Sequence, residues 1–268
     1  MVPPTKGLTA LVLLTCLGST AAILRAPAID GIYIGQEDAC TCMNWKETYD
    51  SGLVNCGRAL EFFLVTKKGV KGVKAAHIIG DEFCGKFFSR IRTNFCVNVD
   101  FNHKPRGFPG MAAKQWCYVS SDCDNLHGGW ALPGLSVSVK ACNSSDSMLR
   151  NMSPEQLDAI RGNQDLDLGL LAKFSYPIWQ DERWPQLEQL FIGDQAASNR
   201  RAAGRSDLDE VVASGEPMLF DSKDGHPPFH VVVGSKIYKI NFKPDGRRNY
   251  ARGRMGDVNE MFCIQGCQ

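Results

Sequence analysis

No segment of the 268-residue chain holds an uninterrupted run of about 20 apolar residues, which a membrane-spanning helix needs. Charge of one sign is scarce as well. A formal net charge of +1 gives no field strong enough to hold nucleic acid or an anionic membrane. Basic residues cluster only locally, at Lys67, Lys68, Lys71 and Lys74 and at Arg247, Arg248, Arg252 and Arg254, where solvated loops account for them. Internal repeats of 20–50 residues are absent, which excludes solenoids and propellers.

Catalytic signatures are missing too. The nearest approach to a Gly-x-Ser-x-Gly elbow, Gly134-Leu135-Ser136-Val137-Ser138, fails at its last position, and no His-Glu-x-x-His zinc motif occurs. His226 and His230 are four apart, but Pro227 and Pro228 between them forbid the helix that would align both rings. Asp122 with Asp124, and Asp165 with Asp167, resemble pieces of a calcium loop without its glycine and distal glutamate. His77, His103 and His127 have no recognisable partners. No metal and no cofactor is therefore expected.

What is present begins with a leader. Lys6 precedes an apolar stretch from Leu8 to Leu17, and Gly18 to Ala22 supplies the small residues a signal peptidase accepts, so residues 1–22 read as a signal peptide. Of eleven cysteines, Cys16 lies in that leader. The others are Cys40, Cys42, Cys56, Cys84, Cys96, Cys117, Cys123, Cys142, Cys263 and Cys267, an even set that reads as a disulfide framework formed outside the cytosol. Ten thiols allow about 945 pairings. Only the local pairing of Cys40 with Cys42 is excluded, because one intervening residue rarely satisfies disulfide geometry. Cys263 and Cys267, four apart, could close on each other or pin the C-terminus to the first half.

A composition shift near residue 145 separates a cysteine-rich module, 23–145, from a second domain, 146–268. In the module, Gly31 to Ile34, Phe62 to Thr66 and Ser136 to Val139 read as short strands between glycine-rich turns. Asp81 is placed to cap a helix whose Phe83, Phe87, Phe88 and Ile91 recur at helical spacing, with Cys84 beside that stripe. Asn102 to Ala113 reads as an exposed loop between Cys96 and Cys117.

The second domain turns helical. Ser153-Pro154-Glu155-Gln156 is a capping box ahead of a helix that Gly162 ends. Pro185 to Phe191 is a short helix, and another runs from Ser206 to a stop at Gly215-Glu216-Pro217. Phe229–Val233 and Lys236–Phe242, joined by Gly234-Ser235, form a C-terminal β-hairpin with glycine where a type II′ turn needs positive φ. Asn143-Ser144-Ser145 and Asn151-Met152-Ser153 match the N-glycan acceptor pattern. Of the five tryptophans, Trp116 is expected to be buried beside Cys117.

Two resemblances enter on particular residues. Cys40-Thr41-Cys42-Met43-Asn44-Trp45-Lys46, Asn55-Cys56-Gly57 and Gln115 to Cys123 resemble a cysteine-rich module of secreted dinoflagellate proteins, over about residues 37 to 142, with no activity to transfer. Asn94 to Asp100 and Trp116-Cys117-Tyr118 are similar to pieces of kringle and fibronectin type II modules, a likeness that implies extracellular binding; the kringle's upstream cysteine spacing is not reproduced.

The expectation is an α+β protein, a disulfide-rich mixed module followed by an α+β domain. It would be a secreted glycoprotein acting by binding an extracellular protein or glycan partner or as a structural component. The loop Asn102 to Ala113, held at both ends by Cys96 and Cys117, is the expected contact. The alternatives are a hydrolase with Asp221, Asp224, His226 and His230 converging, and a precursor cut at Arg200-Arg201 or Arg247-Arg248.

Overall fold

Two four-stranded antiparallel sheets and a set of short helices make up the fold, a mixed α+β architecture. The computed structural model describes residues 38–63, 80–101, 114–223, 225–252 and 258–267, without the Asp81 side chain. The leader, the strand expected at 31–34 and the loop 102–113 lie outside the described residues. So do the first basic cluster, His77, His103 and Asp224.

The first sheet contains β1 (Val97–Asn98), β2 (Gln115–Ser120), β3 (Trp130–Ala131) and β4 (Val137–Ala141), in the order β1-β2-β4-β3. β4 is buried throughout and β2 in all but its last residue, so neither shows the in-out alternation of a half-exposed strand. Helix α1 (Trp45–Asp50), capped by the Asn44 side chain, lays Trp45 edge-on against Trp116 and Tyr118. As expected, Trp116 is fully buried.

The expected helix is π-wound, Gly80–Phe88, so Asp81 falls within it rather than at its cap, and its Phe83, Phe87 and Phe88 point inward. Of the strand expected at 62–66, Phe62 sits in a turn, Phe63 is helical, and the remainder lies outside the described residues.

Ten cysteines close five bridges: Cys40–Cys123, Cys42–Cys117, Cys56–Cys84, Cys96–Cys142 and Cys263–Cys267. Cys40 and Cys42 reach different partners, and Cys263 closes on Cys267. That last loop starts from a strand rather than a helical turn. Cys96 and Cys117 do not pair with each other. The ends of the 102–113 loop are held together by the β1–β2 ladder, Val97 opposite Trp116 and Asn98 opposite Gln115.

Helix α2 (Pro154–Gln164) carries the expected capping box, and it runs past Gly162 to end at Asp165 in the left-handed conformation. Helix α3 (Leu168–Ser175) follows at once, with Asp167 as its N-cap. α4 (Trp184–Phe191), α5 (Ala196–Ala202) and α6 (Ser206–Ser214) come next, α6 stopping at Gly215 with φ 69°.

The second sheet is a meander of β5 (Met218–Phe220), β6 (Phe229–Val233), β7 (Lys236–Phe242) and β8 (Asn259–Gln265). Helix α7 (Gly246–Ala251) lies between β7 and β8. The β6–β7 turn has positive φ at Gly234 and not at Ser235, which fits type II′. The hairpin is internal, since β8 adds to β7 as the edge strand.

Strand alternation divides the packing around this sheet. Phe229, Val231, Tyr238 and Ile240 enter the main core, while Val232 and Ile237 face Trp184, Leu187, Leu208 and Val211 of α4 and α6. The main core crosses the expected boundary at residue 145. Phe174 of α3 stacks on Phe87 at 4.4 Å and meets Phe88 and Phe101 edge-on at 4.9 and 4.8 Å. The carbonyls of Phe174 and Ser175 accept bonds from the buried Gln115 amide of β2. Residues Glu37–Gln268 form one compact unit.

Candidate binding cavity

α3 supplies one wall of a cavity of about 170 Å3 that opens between the Gly80–Phe88 turn, the start of β6 and the β7–β8 end of the second sheet. The wall follows from the helix start. Asp167 caps α3 by accepting from the Leu170 amide at 2.9 Å through Oδ1, as aspartate commonly does at an N-cap. Its second oxygen, Oδ2, is buried and has no partner.

Near it stands Asn259, the first residue of β8, 1 % exposed, with neither its Nδ2 nor its Oδ1 hydrogen-bonded. Gly169 separates the two. A Cβ there would lie 3.1 Å from Asp167 Oδ1 and from the Phe229 ring, and 3.4 Å from Asn259 Nδ2. Glycine inside a helix costs roughly 0.5–1 kcal/mol relative to alanine, and here it leaves that wall open.

Lys173, one turn beyond Gly169, lines the same space. Its ammonium donates to the Gly225 carbonyl at 2.8 Å, pairs with Asp221 at 3.3 Å, and lies 4.6 Å from the Phe229 ring centre. On the opposite side Glu82 accepts a hydrogen bond from the Tyr250 hydroxyl, and the Lys86 ammonium sits 3.7 Å above the Tyr250 ring. Phe83, Phe101, Phe229 and Phe242 complete an apolar lining.

Burial dominates the electrostatics. It raises the Asp167 carboxyl above the ordinary carboxylate range, with Glu82 adding to the rise and the Leu170 amide and Lys86 opposing it. Burial also lowers Lys173 despite Asp221, and raises the Tyr250 hydroxyl, to which Glu82 contributes. Each shift disfavours a charged form, the mark of a site poor in water.

Of the hydrolase alternative's residues, Asp224 lies outside the described residues, and Asp221, His226 and His230 do not converge. His226 lines the cavity, with its ring 6.0 Å from that of Tyr250. His230 turns to the other face of β6, because strand neighbours alternate, and stacks on Trp184 at 4.0 Å and 9°. Its Nδ1 is buried without a partner, and desolvation, aided by Lys239, lowers its pKa to about 3. Asp221 is held by Lys173 and by Arg183 at 2.9 Å.

The remaining sequence candidates take local roles. Asp165 ends α2 and pairs with Arg90 at 2.6 Å, so the 165/167 pair serves two helix ends rather than one ion loop. His127 does have a partner: its Nε2 lies 2.8 Å from Asn143 Nδ2. Asn143 is half-buried, and its Oδ1 accepts from the Ser145 amide and hydroxyl. Asn151 is exposed, but the Ser153 hydroxyl of its acceptor pattern caps α2. Arg200 is buried in α5, paired with Asp209 and bonded to the Leu190 carbonyl, whereas Arg247 and Arg248 are exposed.

Among the described residues one group has the spacing of metal ligands, the sulfurs of Cys42, Cys96, Cys117 and Cys142, all within 4.8 Å of one another. All four are committed to two adjoining disulfides, which leaves no thiolate to coordinate an ion. Sequence reasoning missed the cavity because its polar residues Glu82, Asp167 with Lys173, His226, Tyr250 and Asn259 come from five separate segments. The one local signal was Asp167 directly before the apolar run Leu168 to Phe174, a helix-start pattern.

No family model matches the chain, and no curated protein and no solved structure is significantly similar to it. Among the described residues no helix is long and apolar enough to cross a membrane.

Proposed function

We propose that the protein is a secreted, disulfide-braced binding protein that takes a small organic group of an extracellular partner into the cavity beside α3. The observation that carries this reading is the set of three buried polar atoms, Asp167 Oδ2 and Asn259 Nδ2 and Oδ1, left without partners on one wall. A buried donor or acceptor left unpaired costs about 1–3 kcal/mol, so three together on a cavity wall fit groups that a ligand pairs. The apolar lining with a few polar groups is the composition of a ligand site, and the five bridges suit a protein working outside the cell.

The test is ligand-observed NMR with a broad library of small polar and aromatic fragments on the full chain and on Gly169→Ala, whose methyl crowds Asp167 and Phe229. Fragments that bind the wild type and are weakened at least tenfold by Gly169→Ala are expected. A library in which no compound binds, or in which every binder ignores Gly169→Ala, refutes the cavity as the binding site.

A further inference from the structure

The unpaired atoms on the cavity wall also specify what they would hold. Asp167 has committed Oδ1 to the helix start, so its remaining oxygen offers one acceptor site to a ligand. The Asn259 amide offers a donor at Nδ2 and an acceptor at Oδ1. Asp167 Oδ1 and Asn259 Nδ2 both lie within 3.4 Å of the point where a Gly169 Cβ would stand, so the two side chains flank a single spot. The two residues flanking that spot therefore carry two acceptors and one donor without partners.

Two adjacent hydroxyls complete that array. One donates to Asp167 Oδ2 and accepts from Asn259 Nδ2; its neighbour donates to Asn259 Oδ1. Charged groups fit less well. A carboxylate or a phosphate dianion has no proton to give Asp167 and would face Glu82, and an ammonium would leave the Asn259 donor unpaired beside Lys173. The Phe229 and Phe242 rings offer apolar surface to the carbon face of such a ligand. An apolar cavity of about 150 Å3 admits benzene, so the 170 Å3 here accommodates one six-membered ring.

We infer that the cavity is a subsite for a vicinal diol on a single six-membered ring, the chemistry shared by a free sugar, a cyclitol and the terminal residue of a glycan. This rests on the cavity being a binding site, as proposed above.

The experiment titrates the full-length protein, by saturation-transfer NMR and calorimetry, with glucose, galactose, mannose, myo-inositol and trans-1,2-cyclohexanediol. Cyclohexanol, benzoate and benzylamine serve as comparison probes. At least one diol ring should bind, and its analogue lacking one of the two hydroxyls should bind at least tenfold more weakly, because the site's polar groups are then left unpaired. Asn259→Leu should abolish diol binding while the melting temperature stays equal or rises, since an unpaired amide has been replaced by an apolar side chain.

Diol binding that survives Asn259→Leu places the ligand elsewhere and overturns the inference. If that variant fails to fold, the one-hydroxyl analogues on the wild type decide alone, and equal affinity for diol and mono-ol overturns it. If benzoate, benzylamine or cyclohexanol binds in a manner sensitive to Gly169→Ala while no diol does, the diol falls and the cavity stands. If no probe and no library fragment binds, both fall.

Discussion

Cys40–Cys123 and Cys42–Cys117 span 83 and 75 residues and run side by side, so their contributions to stability should not add. In the chain-entropy account, the first of the two to close restricts the unfolded chain by about 4.5 kcal/mol for a loop of this length. Once it is closed, the other completes only a small ring, Cys40 to Cys42 plus Cys117 to Cys123. A ring of about ten residues contributes roughly 3 kcal/mol. Replacing Cys40 and Cys123 by alanine should therefore cost about 3 kcal/mol, and removing both bridges about 7 kcal/mol, more than the two single losses together. Cys117 is fully buried, so its replacement adds a packing loss, and the cleaner comparison starts from the Cys40–Cys123 pair. Urea unfolding followed by the fluorescence of buried Trp45 and Trp116 measures each loss, with non-reducing peptide mapping to verify the remaining bridges. A single loss as large as the double, or one of 4.5 kcal/mol or more for Cys40–Cys123 alone, would refute the nested-ring reasoning.

Acid should destabilise the fold through His230, whose pKa is near 3 in the folded chain against 6.5 ordinarily. A base held neutral contributes stability that is complete above pH 6.5 and lost as pH falls towards 3, at about 1.4 kcal/mol per pH unit in that window. The wild-type stability curve measured from pH 4 to 7 should therefore be steeper than that of His230→Phe; parallel curves would remove His230 from the account. Glu61 is buried and accepts from Tyr118 at 2.6 Å and Tyr49 at 2.9 Å, so Tyr118→Phe should lower stability by about 1–3 kcal/mol in urea unfolding, and no change would mean the bond is not made. Limited trypsinolysis of the native protein should cut at Arg247 or Arg248 before Arg200, which is locked into α5; first cleavage at Arg200 would contradict that packing. Expression in a eukaryotic host followed by intact mass should show one glycan lost in Asn143→Gln, and an unchanged mass would leave that position unmodified.

Local chemistry was legible wherever a short segment decides its own conformation. The Gly234-Ser235 turn with its two strands, the Ser153 capping box and the Gly215 stop of α6 all depend on residues within a few positions of one another. The pairing of the cysteines was not legible, because it records which strands meet: Cys117 finds Cys42 because β2 passes the residues before α1, as the bond from the Met43 amide to the Tyr118 carbonyl shows. The two-part division misled for a related reason. Cysteine content does change near residue 145, yet Phe174 fills the space between Phe87, Phe88 and Phe101, and apolar contact between remote segments leaves no local mark. The expected meeting of His226 with His230 failed on strand alternation, which turns His230 away from the side of Phe229 that lines the cavity.

The four bridges of the first half all close between Cys40 and Cys142, and none reaches beyond residue 142, whereas the aromatic core they surround is finished only by α3. A chain made from its N-terminus can thus close four of its five bridges while Phe87 and Phe88 still lack their lid. During that interval a correctly oxidised half presents bare aromatic surface, the kind on which folding helpers act and aggregation begins. Birth order and final packing are set against each other at Phe174, and the speed with which α3 arrives decides how long the newborn chain is at risk.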